Sequence, residues 1–355
     1  MTINQFLANH SRMPITAKIF LLQNLAVMIK AGVALADALT TLEEQSKNPR
    51  LKLILTEAVA KVRQGNNFSD TLRPYEKDFG EMFINMIAAG EASGRLEDVL
   101  NQLYIQAKKD HGLKTKIRNA MIYPVIIIVM MIGIGFFALF FILPNITSMF
   151  KDLNVQLPLA TRILIFIGDF TQKNMFFIII PSIIVALLLI RVSTTKSGKY
   201  FWNRVLLKIP IISGVIKQIN ISLFARSMSS LIKTDIAIVD TLKITSRVVS
   251  NGVYRKAIGE AAEKVKKGDK LAAIFKEYHH IFPPIIIQMI AVGEETGSLD
   301  EIMEKVSDFY DEEVSQTLNN LPAIIEPILM LLIGAGVATI AVAVIMPMYS
   351  LIEKF

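Results

Sequence analysis

The chain has 355 residues, of which 52% are hydrophobic and only 19% are charged. A soluble domain usually carries about 25% charged residues, so this balance favours a membrane protein. The 38 basic and 31 acidic residues leave a net charge of +7, and their number requires that part of the chain faces water. The chain has no cysteine, which excludes disulfides, thiolate catalysis and zinc sites built on cysteine.

A short polar N-terminal segment, residues 1–13, precedes a first helical domain over residues 14–120. The segment lacks an apolar stretch, so we predict no cleaved signal peptide. Near the end of the domain, apolar residues recur at spacings of three and four: Leu96, Val99, Leu100, Leu103 and Ala107. Such a stripe predicts a helix that buries one face. We expect the domain to be a bundle of about six helices.

Two candidate transmembrane helices follow this domain. Residues 122–143 contain no charged side chain and reach the ~20 residues that a spanning helix needs. After an extracytoplasmic loop over residues 144–173, residues 174–190 form a second candidate at the short limit of that length. Lys173 and Arg191 lie directly at its ends, and we expect both side chains to extend toward the membrane interfaces.

The rest of the chain repeats this order. A second helical domain is predicted over residues 191–321, where Ile302, Val306 and Phe309 predict a helix with one buried stripe. A third transmembrane helix is predicted over residues 323–349, followed by a C-terminal segment, residues 350–355. The predicted fold is an all-α membrane protein with two helical-bundle domains and three transmembrane helices.

Basic residues near the ends of membrane helices indicate which side of the membrane each domain occupies. One basic group precedes the first predicted span: Lys108, Lys109, Lys114, Lys116 and Arg118. Another follows the second predicted span: Arg191, Lys196, Lys199, Arg204 and Lys208. Because such cations stay in the cytoplasm, we predict that both helical domains are cytoplasmic and that the C-terminus is extracytoplasmic.

The two helical domains are copies of one unit. Residues 86–97, MIAAGEASGRLE, match residues 289–300, MIAVGEETGSLD, at an offset of 203 residues. The same offset pairs Asn48 with Asn251 and Pro124 with Pro327 without a gap. A single register sustained over a whole domain indicates an internal duplication. We call the two domains copy one and copy two.

The most specific feature of both copies is a shared Gly-Glu-x-Ser/Thr-Gly-x-Leu sequence. Its residues are Gly90, Glu91, Gly94 and Leu96 in copy one, and Gly293, Glu294, Gly297 and Leu299 in copy two. One interpretation is a tight turn between helices, with Gly94 and Gly297 in the left-handed conformation that glycine tolerates. Another is that the two glutamates form a partner contact, an ion pair between subunits or a weak divalent-cation site. The two interpretations are compatible.

Four residues mark the predicted membrane interface: Tyr123, Pro124, Glu326 and Pro327. Glu326 stands out because an ionised carboxylate within an apolar span is costly. A place at the N-terminus of an interfacial helix would explain it, and contact with a membrane substrate is the alternative. Further along, Gly334 and Gly336 give the third span a small-residue face that suits helix packing, so we expect a homo-oligomer.

No pattern in the sequence indicates catalysis or a cofactor. Residues 196–200, KSGKY, lack the leading glycine and the final Ser or Thr of a phosphate-binding loop. The four histidines do not have the spacing of a metal site. Basic residues alternate with acidic ones and lack an aromatic stacking platform, so we expect no nucleic-acid partner. We predict a protein that is not an enzyme and has no catalytic, cofactor-binding or metal site.

A duplicated helical domain, each copy carrying Ala-Gly-Glu-x-Ser/Thr-Gly-x-Leu and ending in a membrane helix, resembles the type II secretion system F family. Members of that family are inner-membrane platform proteins of type II secretion and type IV pilus machines. Residues 22–33, 136–144 and 210–214 are also similar to the family's pattern. Asp235 stands where the family usually has Gly, so we expect the first turn of copy two to differ. Many longer members carry a further segment before the first copy, and we expect no ATPase contact from such a segment here.

The resemblance implies a multi-pass protein of the bacterial inner membrane with a cytoplasmic N-terminus. It implies that the protein couples a cytoplasmic hexameric ATPase to the insertion or extraction of pilin or pseudopilin subunits. Inner-membrane alignment proteins and further copies of the chain are the other implied partners. The alternative is a small transporter or channel with duplicated cytoplasmic regulatory domains, which requires polar residues that converge at mid-membrane. Glu326 gives this alternative only slight support.

Overall fold

The computed structural model describes residues 13–142, 195–210 and 212–352, together with five single positions between them. Within these residues every regular element is helical, which confirms the predicted all-α class. Apolar residues at helical spacing and the absence of strand-like alternation account for this outcome.

Copy one consists of six main helices and a short additional one. Five of the main helices precede the long one: α1 (Ile15–Lys30), α2 (Leu35–Gln45), α3 (Pro49–Arg63), α4 (Phe68–Leu72) and α6 (Glu81–Ser93). The short helix is α5 (Glu76–Phe79), which follows a 3₁₀ turn. The last is α7 (Leu96–Phe137), which continues into a π-helical turn, Ala138–Ile142.

Copy two has the same six main helices, preceded by α8 (Lys196–Leu206). They are α9 (Ile212–Ile232), α10 (Ile238–Val248), α11 (Gly252–Val265), α12 (Leu271–Lys276), α13 (Pro284–Thr296) and α14 (Leu299–Ile352). Asn48 and Asn251 begin α3 and α11 in the same way, because each side-chain oxygen accepts a hydrogen bond from a backbone N–H of the first helical turn.

The chain divides into two compact units. The first contains Met1–Thr115 and Tyr200–Ser315, and the second contains Lys116–Lys199 and Gln316–Phe355. Both copies of the helical domain therefore lie in the first unit. The sequence predicts two domains, and the structure shows that they pack together as one body.

Each copy has a hydrophobic core of its own. In copy two, the rings of Phe224, Phe275 and Phe282 lie 4.5 to 5.3 Å apart and are fully buried. Burying one such side chain contributes about 1.5 to 3 kcal/mol to folding. The core of copy one also includes Leu231 and Ile244 of copy two, so the two cores are in contact.

Two helices of the described chain are long and apolar enough to cross a membrane, Leu96–Ile142 and Leu299–Thr339. Only 6% of the most apolar window of each is buried, so their apolar side chains are exposed. Exposed apolar surface of this length suits lipid better than water. They correspond to the first and third predicted spans. The second, residues 174–190, lies outside the described residues apart from three single positions.

The predicted buried stripes are confirmed in copy one and partly wrong in copy two. Val99, Leu100 and Leu103 are buried, and so is Val306 in copy two. Phe309, however, is 58% exposed. Its counterpart in copy one, Gln106, is only 9% exposed, because copy two packs nearby. Periodicity identifies the face of a helix, but it does not reveal whether a neighbour covers that face.

Candidate functional site

The glutamate of the shared motif caps a helix of its own copy. Glu91 lies in the last turn of α6, and its carboxylate oxygens accept hydrogen bonds from the backbone N–H groups of Phe68 (2.5 Å) and Ser69 (2.9 Å). These N–H groups begin α4 and have no partner within that helix. The carboxylate therefore satisfies two backbone donors and places negative charge at a helix N-terminus.

Copy two repeats this contact. Glu294 lies near the end of α13, and its carboxylate oxygens accept hydrogen bonds from Leu271 N–H at 2.7 Å and Ala272 N–H at 3.2 Å. These two residues begin α12 and are the counterparts of Phe68 and Ser69. The motif therefore performs the same structural task in both copies.

The glycines of the motif allow two different backbone features. Gly94 and Gly297 end their helices with φ of 69° and 71°, in the left-handed region that favours glycine. Gly90 and Gly293 lie where the next helix passes closely. A Cβ at Gly90 would lie 2.9 Å from Val99 Cγ2, and one at Gly293 would lie 2.9 Å from the Cα of Leu299. Glycine thus permits both the turn and the close helix contact.

The leucines of the motif begin the long helices. Leu96 is the first residue of α7 and Leu299 the first of α14, and each packs against the core of its copy. All the motif residues singled out in the sequence therefore meet at one corner of each copy. Both glutamate carboxylates have internal backbone partners, and a contact between either glutamate and a partner protein stays a prediction.

A buried charge cluster connects copy one to copy two, and we call this contact between the copies the joint. The guanidinium of Arg226 on α9 is almost fully buried and donates a hydrogen bond to Asp110 on α7 at 2.6 Å. It also pairs with Asp311 on α14, and the Ser222 hydroxyl donates to the same carboxylate. One buried arginine is thus held by acids from both copies. A buried charge that loses its partner typically costs about 3 to 5 kcal/mol.

Further ion pairs also cross from one copy to the other. Lys109 of copy one contacts Asp308 at 2.7 Å and Asp311 at 3.3 Å. Arg247 of copy two contacts the Glu81 carboxylate at 2.6 Å. These pairs are more exposed than Arg226, and exposed pairs contribute at most about 1 kcal/mol. These pairs therefore contribute more to the alignment of the two copies than to the free energy of unfolding.

The joint shifts the pKa of two of its members. Burial raises the pKa of the Asp110 carboxyl, although the positive charges of Arg226 and Lys114 oppose that shift. Burial by itself would lower the pKa of Lys109, but its hydrogen bond to Asp308 and the charge of Asp311 outweigh this, so the pKa of Lys109 is raised. In both residues, nearby opposite charges favour the charged form and so act against the effect of burial on the pKa.

Lys18 is a further cation close to this cluster. It lies on α1, and its ammonium donates a hydrogen bond to the Phe79 carbonyl at 2.6 Å. Burial lowers the pKa of Lys18 to about 8, with Asp110 opposing the shift and Lys114 adding to it. The equivalent residue in copy two is Ile221, which is fully buried. Lys18 therefore occupies a position that is apolar in the other copy.

Sequence reasoning missed the joint, although the duplication contains a signal for it. At the offset of 203 residues, Arg226 corresponds to Gln23, Arg247 to Glu44 and Lys109 to Glu312. The two copies thus differ in charge at these three positions of the joint, whereas Asp110 corresponds to another acid, Glu313. Positions where a duplicated fold changes charge are candidates for contact between its copies.

The four residues predicted at the membrane interface all lie inside long helices. Tyr123 and Pro124 lie within α7, and Glu326 and Pro327 within α14. Glu326 is exposed, and it is not at a helix N-terminus, because α14 begins at Leu299. The explanation through helix-end electrostatics is therefore wrong. The assignment of these residues to a membrane interface stays a prediction.

The first turn of copy two does not differ from that of copy one. Asp235 has φ of 59° and Gly32 has φ of 80°, so both adopt the left-handed conformation. Backbone hydrogen bonds close both turns in the same pattern, from Gly32 N–H to Ile29 at 2.9 Å and from Asp235 N–H to Ile232 at 2.9 Å. The expected difference is wrong, because Asp tolerates this conformation better than most other side chains.

Comparison with known proteins identifies a family that has this duplicated sequence. The family described as "Type II secretion system (T2SS), protein F" matches residues 21–144 and, a second time, residues 224–347. Each boundary of the second match lies 203 residues after that of the first, which confirms the duplication and its register.

Individual relatives match along most of the chain. The type IV pilus assembly protein PilC of Myxococcus xanthus is 34% identical over 327 residues, covering 92% of this chain and 78% of the relative. PilC of Thermus thermophilus is 33% identical, covering 93% of this chain and 81% of the relative. The type II secretion system protein F of Aeromonas hydrophila is 31% identical, covering 93% and 84%.

These relatives are named as components of pilus assembly and of type II secretion, and the family is a structural one. Its two matches begin within α1 and α9, cover most of each helical copy, and include all of α7 and α14 as far as residue 347. The chain belongs to the type II secretion system protein F family.

Proposed function

We propose that this chain is the inner-membrane platform protein of a type II secretion or type IV pilus assembly machine. In this role it couples a cytoplasmic hexameric ATPase to the insertion or extraction of pilin-like subunits. The observation that carries the proposal is the double family match, which falls on two helical copies that each lead into an exposed apolar helix.

The architecture supports a mechanical role over a catalytic one. Arg226 and its acidic partners connect the two copies, so a force applied to one copy reaches the other through a buried joint. α7 and α14 begin in the helical copies and continue past Pro124 and Pro327 without a break. We propose that ATPase motion moves the joined copies and that the apolar helices transmit this motion to a pilin segment in the bilayer.

Deletion and complementation in the native host test the role in assembly. We expect loss of the chain to abolish surface filaments or secretion while pilin-like subunits remain in the inner membrane, and the restored gene to recover both. Unchanged filament number and secretion in the deletion strain would overturn the proposal.

Reporter fusions test the proposed topology. A reporter after Asn154 or after Phe355 should be active outside the cytoplasm, because both positions follow an odd number of predicted spans. A reporter at Lys47, between α2 and α3, is the cytoplasmic control. Cytoplasmic activity at either of the first two positions would contradict the topology.

Replacement of the motif glutamates separates a partner contact from a purely structural role. If Glu91 and Glu294 also contact a partner, the Glu91→Gln, Glu294→Gln double variant should lose filament assembly at normal protein level and thermal stability. If they only cap α4 and α12, the loss of assembly should parallel the loss of stability. The Glu44→Gln variant, at an exposed position of α2, is the matched control.

A further inference from the structure

The contact between the two copies uses different faces of the same fold. Copy one contributes a surface that we call the joint face, formed by Met82, Gln106 and Asp110. Copy two covers this surface with Ile244 and with Arg226, whose guanidinium pairs with Asp110. Because the covering elements are α9 and α10, the copies pack head to tail, and a head-to-tail contact leaves one face of each kind unused.

The unused equivalent of the joint face lies on copy two. At the offset of 203 residues its members are Ile285, Phe309 and Glu313, and we call it the open face. Met82 is 6% exposed in the joint face, whereas Ile285 is 52% exposed, and Phe309 is 58% exposed. The open face is more apolar than the joint face, because Phe309 replaces Gln106. An apolar surface rimmed by polar residues marks an interaction site.

A second copy of this chain does not fit the open face in the way that copy two fits the joint face. The covering residues Arg226, Ile244 and Arg247 correspond to Gln23, Thr41 and Glu44 in copy one. Copy one therefore offers a polar and acidic surface where copy two offers apolar and basic side chains. In the equivalent arrangement Gln23 would face Glu313 without a charge to pair with it. Glu44 would find no cation opposite it, because Glu81 corresponds to Pro284.

The acidic residues of the open face also argue against its binding to a membrane. Glu313 follows Phe309 by one helical turn, and Glu312 lies beside it on α14, whereas Asp308 is already paired with Lys109 in the joint. Among the described residues, no cation forms an ion pair with Glu313. An anionic bilayer attracts basic segments and repels acidic ones. The charge of this face suits a basic protein surface.

We propose that the open face binds a helical surface of another protein, one that presents an apolar stripe next to an Arg or Lys. The joint within this chain is the template. There, Ile244 of α10 belongs to the same core cluster as Met82, while Arg226 of the neighbouring helix α9 pairs with Asp110. On the open face, Ile285 and Phe309 take the apolar stripe, and Glu313 pairs with the cation.

Site-specific photo-crosslinking of the full chain in its native membrane tests this proposal. A benzophenone amino acid replaces Phe309, and a second strain carries it at Val27, which is 63% exposed on α1 of copy one and serves as the control. We expect an adduct with another protein from position 309 and not from Val27. Mass spectrometry should place the cross-linked residue in a helical segment with an apolar stripe and an Arg or Lys.

A charge reversal completes the test. Glu313→Arg in the chain that carries the probe should reduce the adduct about tenfold, since it opposes the partner's cation. Changing that cation to Glu in the mapped partner should restore the adduct. The melting temperature of the Glu313→Arg chain must match that of the parent. An adduct with lipid, an adduct with a second copy of this chain, no adduct, or an adduct that Glu313→Arg leaves unchanged would overturn the proposal. The readout does not depend on filament assembly or secretion.

Discussion

Glu91 caps α4 in copy one as Glu294 caps α12 in copy two, through the same pair of backbone donors. The faces of the two copies, by contrast, have diverged. Met82 is buried in the joint face, and its counterpart Ile285 is exposed in the open face. The capping contact inside each copy is thus the same in both, whereas the residues that face outward differ with what each copy meets.

The physical reason lies in the kind of group that each position satisfies. A capping glutamate serves backbone N–H groups, which are present in both copies whatever surrounds them. Arg226, by contrast, pairs with a side chain of the other copy. A cation is therefore needed at only one of the two equivalent positions. Structural roles that depend on backbone therefore survive a duplication more readily than roles that depend on a neighbour.

The largest expected effect is at the buried arginine. Arg226→Ala should lower the free energy of unfolding by about 3 to 5 kcal/mol, because Asp110 and Asp311 lose the charge that compensates them. The equivalent change in copy one, Gln23→Ala, should alter it by less than about 0.5 kcal/mol, since Gln23 is exposed. Thermal unfolding of the full chain in detergent measures both. Equal melting temperatures for the two variants would contradict the proposed role of the joint.

The motif glycines should give the next largest effect. Gly293→Ala and Gly90→Ala should each destabilise the chain by about 1 to 3 kcal/mol, because the new Cβ crowds the following helix. We expect the larger loss at Gly293, where the closest atom is backbone, than at Gly90, where it is a methyl group of Val99.

Gly259→Ala is the control for these variants, because Gly259 lies inside α11 with no atom near a new Cβ. It should raise stability by about 0.5 to 1 kcal/mol through helix propensity. Melting temperatures rank the three variants. A stabilising effect at Gly90 or Gly293 would show that the close helix contact is not needed.

Lys18 should make the free energy of unfolding depend on pH above 8, an effect that its counterpart Ile221 in copy two does not have. Its pKa is about 8 when folded and 10.5 when unfolded, so the unfolded chain binds more protons between these values. Stability should therefore rise as the pH increases from 8 to 9.5, by about 1.5 kcal/mol.

The Lys18→Met variant resembles Ile221 of copy two and should lose this rise. Melting temperatures of both chains across that pH range supply the measurement, and the difference between the chains isolates Lys18 from other groups that titrate nearby, such as tyrosines. A parallel pH profile for the two chains would show that Lys18 is not the source.

The smallest expected effect concerns the first turn of copy two. Asp235→Gly should raise stability by about 0.5 kcal/mol, because glycine adopts φ of 59° without the strain of a side chain. Gly32→Asp in copy one should lower it by a similar amount. The two melting temperatures should move in opposite directions, and a shift of the same sign in both would mean that the turns are not equivalent.

Much of the fold was accessible from the sequence, for reasons that particular residues illustrate. The stripe of Val99, Leu100 and Leu103 predicts a buried helix face, since burial of apolar side chains imposes a period of 3.6 residues. The matching runs at 86–97 and 289–300 predict the duplication and its register. Gly94 and Gly297 predict a left-handed turn, since glycine alone adopts this conformation without strain.

Other features depended on contacts between residues that are distant in sequence. Glu91 and Phe68 are 23 residues apart, and nothing in the sequence around either residue indicates that the Glu91 carboxylate caps the helix that begins at Phe68. The position of Glu326 was misjudged because charge and proline suggested a helix start where α14 continues.

The sequence by itself determined the all-helical class, the duplication and the apolar helices, because these follow from composition, periodicity and repetition along one chain, and its shared motif carried the resemblance to the family. Only the tertiary structure decided that Arg226 meets Asp110, that the copies form one compact unit and that Phe309 is left uncovered. Those outcomes depend on which faces meet, and a periodic pattern does not carry that information because it is the same for a covered face and an open one.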